Sequence, residues 1–241
     1  MASYRYSPAV LPVLLSRIRT GKLPNTRQAN RSVWGSYDWS TEGDEWSNNS
    51  VPGWKDSLVN NLLIPFIGEG NTVLEVGPGA GRWSEHIIPR SGKTILVDLT
   101  PECIDLCQER FGKNPAVEFY VNDGRTLPFI ESGSIERVWS VDVFVHIQAH
   151  DVENYVAEFA RIMAPGAQAL IHHAKNGIRR KNWRSDMTAS LMAQYVRQNG
   201  LEMTGQVQSW GDGTQRIWPT LPPENSPDII SLFRKPTAAG Q

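Results

Sequence analysis

The sequence predicts an α/β fold: a mostly parallel sheet with helices on both faces, preceded by an N-terminal cap. Three observations predict it. From Val73 onward short β-branched runs alternate with segments of helical spacing, the first run ends in a glycine-rich turn, and the second and third runs each end in an aspartate. Alternating strands and helices require crossover connections, which place helices on both faces of a parallel sheet.

The elements follow in order. "TVLEV" is the first strand, and "RWSEHIIP" reads as a helix stopping at Pro89. "TILVDL" is the second strand, with Thr100 and Pro101 as N-cap and first-turn residue of the helix "ECIDLCQERF". "VEFYVND" is the third strand and "RVWSVDVF" the fourth. Val152, Tyr155, Val156, Phe159 and Ile162 then fall at helical spacing, and "APGA" turns the chain into a fifth strand, "QALIHHA". A helix near 187–199 and two closing strands, in "LEMTGQVQSW" and "DIISLFRKP", complete the sheet. Residues 1–60 read as irregular and aromatic-rich. The predicted division is a cap or lid over 1–55 and a ligand-binding domain over 56–241, with an insertion near 175–190 that covers a second substrate.

Length and composition bound the function. A chain of 241 residues can bury one sizeable core. Its 24 basic and 25 acidic residues nearly cancel, so no nucleic acid or anionic membrane partner is expected. No apolar run approaches the roughly 20 residues of a membrane span. The two cysteines, Cys103 and Cys107, are poorly placed for a disulfide on one helix, which fits a reducing cytoplasm. The N-terminal "AVLPVLLSRI" reads as a short amphipathic helix, suited to a homodimer contact or to folding back as a lid.

The turn "VLEVGPGAG", residues 73–81, must bring backbone close to a ligand. A dinucleotide fingerprint needs a third small residue where this chain has Arg82, and a Walker loop needs a Gly-Lys-Ser/Thr ending that this turn does not have. What remains, E-x-G-x-G-x-G, resembles the first motif of class I S-adenosylmethionine (SAM)-dependent methyltransferases, and the resemblance covers roughly residues 55–235. It implies a Rossmann-like sheet and SAM as cofactor. Gly77 and Gly79 expose backbone to the methionine part, and Glu75 and Gly81 are further cofactor-binding candidates. Asp98 at the end of the second strand takes the ribose hydroxyls and Asp123, with Gly124 after it, the adenine amine; Leu99, Gly124 and Ser140 are further cofactor-binding candidates.

The acceptor is read from the fourth and fifth strands. "SVDVFVHI" stands where enzymes acting on DNA bases or amide nitrogens carry an Asn/Asp-Pro-Pro-Tyr/Phe element, which leaves an oxygen acceptor or another small-molecule atom, the oxygen being the reading taken. A hydroxyl needs a base or a metal to weaken its proton. His146 and His173 are the candidate bases. Asp142 orients the base or, with His173, ligates Mg²⁺. Of the neighbours His172 and His173 only one can face the site, because strand neighbours point to opposite sides. Seven tryptophans, at 34, 39, 46, 54, 183, 210 and 218, lie outside the central fold and suit a sugar or aromatic acceptor. Arg179, Arg180, Lys181 and Arg184 read as a solvated run or as cover for the acceptor. "GPGAGRW", "SVDVFVHI", "HHAKNG" and "RSDMT" together look like a bacterial sugar O-methyltransferase of the methylmannose polysaccharide type, implying a saccharide acceptor. A methyltransferase of aromatic or natural-product scaffolds and a non-catalytic SAM-binding module are the alternatives.

Overall fold

The computed structural model describes residues 25–47, 51–177 and 184–237, together with Leu11 and Leu15. Apart from Leu11 and Leu15, the apolar N-terminal run behind the homodimer expectation lies outside the described residues, as do Arg179, Arg180, Lys181 and Trp183.

Seven strands form one sheet: β1 (Thr72–Val76), β2 (Lys93–Asp98), β3 (Val117–Val121), β4 (Ile135–Phe144), β5 (Met163–Ala174), β6 (Glu202–Val207) and β9 (Asp228–Arg234). Their order is β3-β2-β1-β4-β5-β9-β6, parallel except for β9, which runs antiparallel to both neighbours. The reversal has a consequence for the site. The first residue of β9, Asp228, pairs with the last of β5, Ala174, so it arrives at the carboxyl edge of the parallel strands. A separate two-stranded ribbon, β7 (Ser209–Trp210) and β8 (Gln215–Arg216), lies between β6 and β9 in the chain.

The main crossover helices are α4 (Ser84–Ile87), α5 (Pro101–Phe111), α6 (Ala149–Ile162) and α7 (Ala189–Gln198). On one face of the sheet Val152, Tyr155, Val156, Phe159 and Ile162 of α6 pack with Leu74, Val138, Phe144, Ile171 and Phe233, all buried. Each such side chain contributes about 1.5–3 kcal/mol relative to exposure. The other face carries Trp54, Leu58, Leu63, Trp83, Ile87, Trp139 and Ile230.

Three local expectations change. Residues before the sheet are not irregular throughout: α1 (Arg27–Gly35) is capped by Thr26, whose hydroxyl accepts from Ala29 N, and α2 (Trp54–Leu58) continues through a π-turn into α3 (Ile64–Ile67). "APGA" does not precede β5 but lies within it, absorbed by a register shift against β4 between Ile135 and Arg137. Thr100 flanks α5 without a side-chain cap, because its hydroxyl donates to Asp98 Oδ1 at 2.9 Å instead.

Candidate active site

A cavity of about 760 Å³ opens at the carboxyl ends of β1, β2 and β4 and runs under α1 toward β5 and β9. Open parallel sheets place ligands at this edge.

At one end stands the glycine turn. Gly77 and Gly79 line the cavity with φ values of 74° and 59°, open to glycine and strained for other residues. A Cβ on Gly79 would come within 2.9 Å of the Trp39 ring. Asp98 faces the same space. Its Oδ1 accepts from Thr100 N at 2.9 Å, and its Oδ2 accepts from Gly79 N at 3.3 Å, so the carboxylate ties the turn to β2. Burial pushes its pKa up against these donors. Leu99 and Gly124 also line the cavity, as do Asn25 and Arg27 from α1 and its lead-in, and Asp151 from α6. Asn25 Oδ1 is buried here without a hydrogen-bond donor, and Asp151 Oδ1 has only Arg27 Nε, 3.5 Å away, as an ion-pair partner. Such atoms suit a ligand that carries amine and hydroxyl donors, as SAM does. Asp98→Ala is expected to weaken SAM at least tenfold, since hydrogen bonds to a charged group are worth about 1.5–3 kcal/mol each. Equilibrium dialysis with a variant of unchanged circular dichroism checks this.

Five expected site residues do not line the cavity. Glu75 is buried beneath the turn, accepting from Ser84 Oγ at 2.5 Å, and burial pushes its carboxyl up to about 7. It anchors the start of α4 to β1. Gly81 (φ 89°) packs on α5, where a Cβ would meet Phe111 at 2.5 Å. Asp123 turns its carboxylate outward to the N–H groups of Arg125 and Thr126, at 3.0 and 2.7 Å, because these turn donors are nearer than the cavity. Ser140 is fully buried and donates to Val76 O at 2.7 Å, tying β4 to β1. His173 lies on the opposite face of β5, with Nε2 2.7 Å from Ser231 Oγ, and burial pushes its pKa down to about 4.

Its neighbour His172 lines the cavity instead and sits within a chain of charges. β4 bulges between Ser140 and Phe144, and Asp142 there takes a left-handed φ of 67°. The bulge turns its carboxylate between Arg82 Nη2, at 2.6 Å, and His172 Nδ1, at 3.1 Å. Nδ1 is equally 3.1 Å from the Asp142 backbone N–H, but a ring flanked by two carboxylates favours the protonated form, which donates to Oδ1. On the other side His172 Nε2 lies 3.6 Å from Asp228 Oδ2, too far for a hydrogen bond. Asp228 is fully buried, paired through both oxygens with Arg184 Nε and Nη2 at 2.7 Å and accepting from Trp218 Nε1 at 2.7 Å.

Electrostatics follow from this packing. Burial alone would lower the His172 pKa, but Asp142 and Asp228 overcome it and hold the ring at about 9. Burial would likewise raise Asp228, yet His172 and Arg184 hold it down at about 2, and His172 and Arg82 keep Asp142 well below the carboxylate range. Both carboxylates thus favour the imidazolium of His172, which makes it a poorer proton acceptor than an unpaired ring.

His146 also lines the cavity, from the turn after β4. Its carbonyl accepts from Asn30 Nδ2 at 2.8 Å and its ring packs 5.2 Å from Trp34. Asp142 was expected to orient His146, but its carboxylate serves Arg82 and His172. The expected Mg²⁺ pair of Asp142 and His173 does not form, and among the described residues no three His, Cys, Asp or Glu side chains cluster as ligands. With Asp142 engaged by two cationic donors, the donor set does not fit a hard divalent cation.

The six described tryptophans outside the central fold, Trp34, Trp39, Trp46, Trp54, Trp210 and Trp218, all line the cavity. Arg184 was read as part of a solvated run or as cover for the acceptor, while Arg82, Asp228 and Asp151 were given no site role from the sequence. The available signals were Arg82 in the slot where a dinucleotide site needs a small residue, and Asp228 opening a reversed strand.

This sheet order and edge cavity define the class I methyltransferase fold. Residues 73–166 match the methyltransferase domain family. The methyltransferase GfsG of Streptomyces halstedii is 25% identical over 109 residues, 44% of this chain and 38% of its own length. Nodulation protein S of Rhizobium tropici is 23% identical over 139 residues, 55% of this chain and 56% of its own. The chain thus spans between about a third and a little over half of its first curated relatives' length. The N-methyltransferase NodS from Bradyrhizobium japonicum WM9, solved with S-adenosyl-L-homocysteine (SAH), superposes with a TM-score of 0.61 at 16% identity, over 82% of this chain and 98% of its own. Together these matches show the class I methyltransferase fold.

Proposed function

We propose that the protein is a SAM-dependent methyltransferase that methylates a hydroxyl of a small polar acceptor, a sugar or oligosaccharide. The observation carrying this reading is one continuous cavity with the glycine turn and Asp98 at one end and a charged, tryptophan-walled pocket at the other. SAM, when bound, supplies a methyl group on a sulfonium. The chain's own residues do the rest. The turn and Asp98 fix the donor's end of the cavity, and Arg82, His172 and Arg184 present donors to acceptor oxygens. Residues 25–47 close over both as the cap and exclude water, with Trp34 and Trp39 against the site. Indole faces pack on sugar C–H groups while their N–H groups hydrogen-bond.

His146 takes the acceptor proton as the carbon–oxygen bond forms. His146→Ala is expected to lower turnover by ~10²-fold or more and to leave SAM affinity nearly unchanged, since a general base acts on the acceptor side. Steady-state kinetics beside equilibrium dialysis check both. Equal turnover in the variant removes His146 from the proton transfer.

A nitrogen acceptor is the second reading, favoured by the similarity to nodulation protein S and to the N-methyltransferase NodS. Radiolabelled SAM with panels of saccharides, amines and phenols separates the two. Label in the methyl ether of a saccharide is expected, and label confined to amines or phenols overturns the sugar reading.

A further inference from the structure

We propose that the chain of charges at the β5–β9 end of the cavity is an anion subsite, so that the acceptor carries one carboxylate or phosphate group besides the methylated atom. This inference rests on the methyltransferase reading for calling the ligand an acceptor, but the subsite itself stands on geometry.

Three cationic side chains, Arg82, His172 and Arg184, meet two carboxylates, Asp142 and Asp228. Both carboxylates are engaged from within the chain: Asp142 by Arg82 and His172, Asp228 by both nitrogens of Arg184 and by Trp218. The donors are not saturated. His172 Nε2 is buried, without a hydrogen-bond partner, on a side chain that is 1% exposed and lines the cavity. Arg184 Nη1 is not used in the pair with Asp228. A buried polar hydrogen without an acceptor costs about 1–3 kcal/mol, which a ligand oxygen offsets.

The remaining carboxylates of the cavity have partners of their own. Glu42 pairs with Arg110, Glu45 accepts from Tyr37 and Thr41, and Asp151 pairs with Arg27. Asp98 belongs to the glycine-turn end. The unfilled donors of the far end, His172 Nε2 and Arg184 Nη1, thus await an acceptor, and an anionic group supplies oxygens to both. Trp218 stacks against Arg184, at 5.5 Å, and with Trp210 and Ile217 gives that pocket a flat apolar wall. An anion on a ring, sugar or aromatic, matches both features.

The test uses the full chain loaded with SAH, in zwitterionic buffer, followed by calorimetry or tryptophan fluorescence. Two pairs of probes differ only by charge: glucuronate against glucose, and 4-hydroxybenzoate against phenol, with inorganic phosphate as a third arm. At least one carboxylate is expected to bind tenfold or more tightly than its neutral partner, or phosphate to bind where neither carboxylate does. His172→Gln and, separately, Arg184→Gln are expected to abolish that preference without changing SAH affinity, which also shows that each variant is folded. Equal affinity for charged and neutral probes overturns the proposal, as does a preference that survives both substitutions or the absence of any anion binding. If SAH itself does not bind, the methyltransferase reading fails, while the same anion titrations on the unloaded chain still decide the subsite.

Discussion

Gly79→Val is expected to abolish SAM binding. Two independent effects act at that position. The backbone φ of 59° strains a β-branched residue, and the new Cβ would stand within 2.9 Å of the Trp39 ring. Relief requires moving the turn away from Asp98 or moving Trp39 off the cavity, and each dismantles a wall of the site. Gly213→Ala is the control. It carries the same kind of backbone, φ 84°, with no atom within 4 Å of its Cβ, so it is expected to lose some stability and to keep wild-type SAM affinity. Equilibrium dialysis of both variants checks the pair of outcomes. Retained binding by Gly79→Val would remove the glycine turn from the cofactor site.

Asp228→Ala is expected to lower the melting temperature by roughly 6–20 °C. Removing one member of a buried charge group strands the others, here His172 and Arg184, at about 3–5 kcal/mol, and a chain of this size loses about 2–4 °C per kcal/mol. The pH dependence follows from the directions of the shifts. His172 is raised from about 6.5, so its contribution is complete below that value and is lost as pH rises through about 9. Asp228 is lowered from about 3.8, so its contribution is complete above that value and is lost as pH falls through about 2. Wild-type stability from this pair is therefore greatest between about pH 4 and 6.5. Thermal melts across pH should show an alkaline decline in the wild type that is flattened in Asp228→Ala. Parallel curves would exclude the pairing as its cause.

Most of the fold was legible in the sequence because each strand of the central sheet is a short apolar run bounded by a turn. The glycine turn was legible for a further reason: only glycine tolerates the backbone it needs. The orientation of Asp123 was not. Asn122, Asp123 and Gly124 are consecutive, and tertiary packing decides that Asn122 faces Tyr155 while Asp123 faces the turn donors. The histidine pair shows a similar limit. Alternation required that one of His172 and His173 face the site, but strand parity depends on where β5 begins and how β4 bulges, and neither is set by spacing near the pair. Arg184 and Asp228 are 44 residues apart and meet only because β9 reverses. The aromatic residues before the sheet read as irregular because α1 is short and amphipathic against a cavity rather than against a core.

The most direct measurement is a calorimetric titration of the purified chain with SAH. A single saturable site of low-micromolar affinity is expected, weakened at least tenfold in Asp98→Ala. No binding by a chain that melts cooperatively, or binding indifferent to both Asp98→Ala and Gly79→Val, would contradict the assignment of this cavity to SAM.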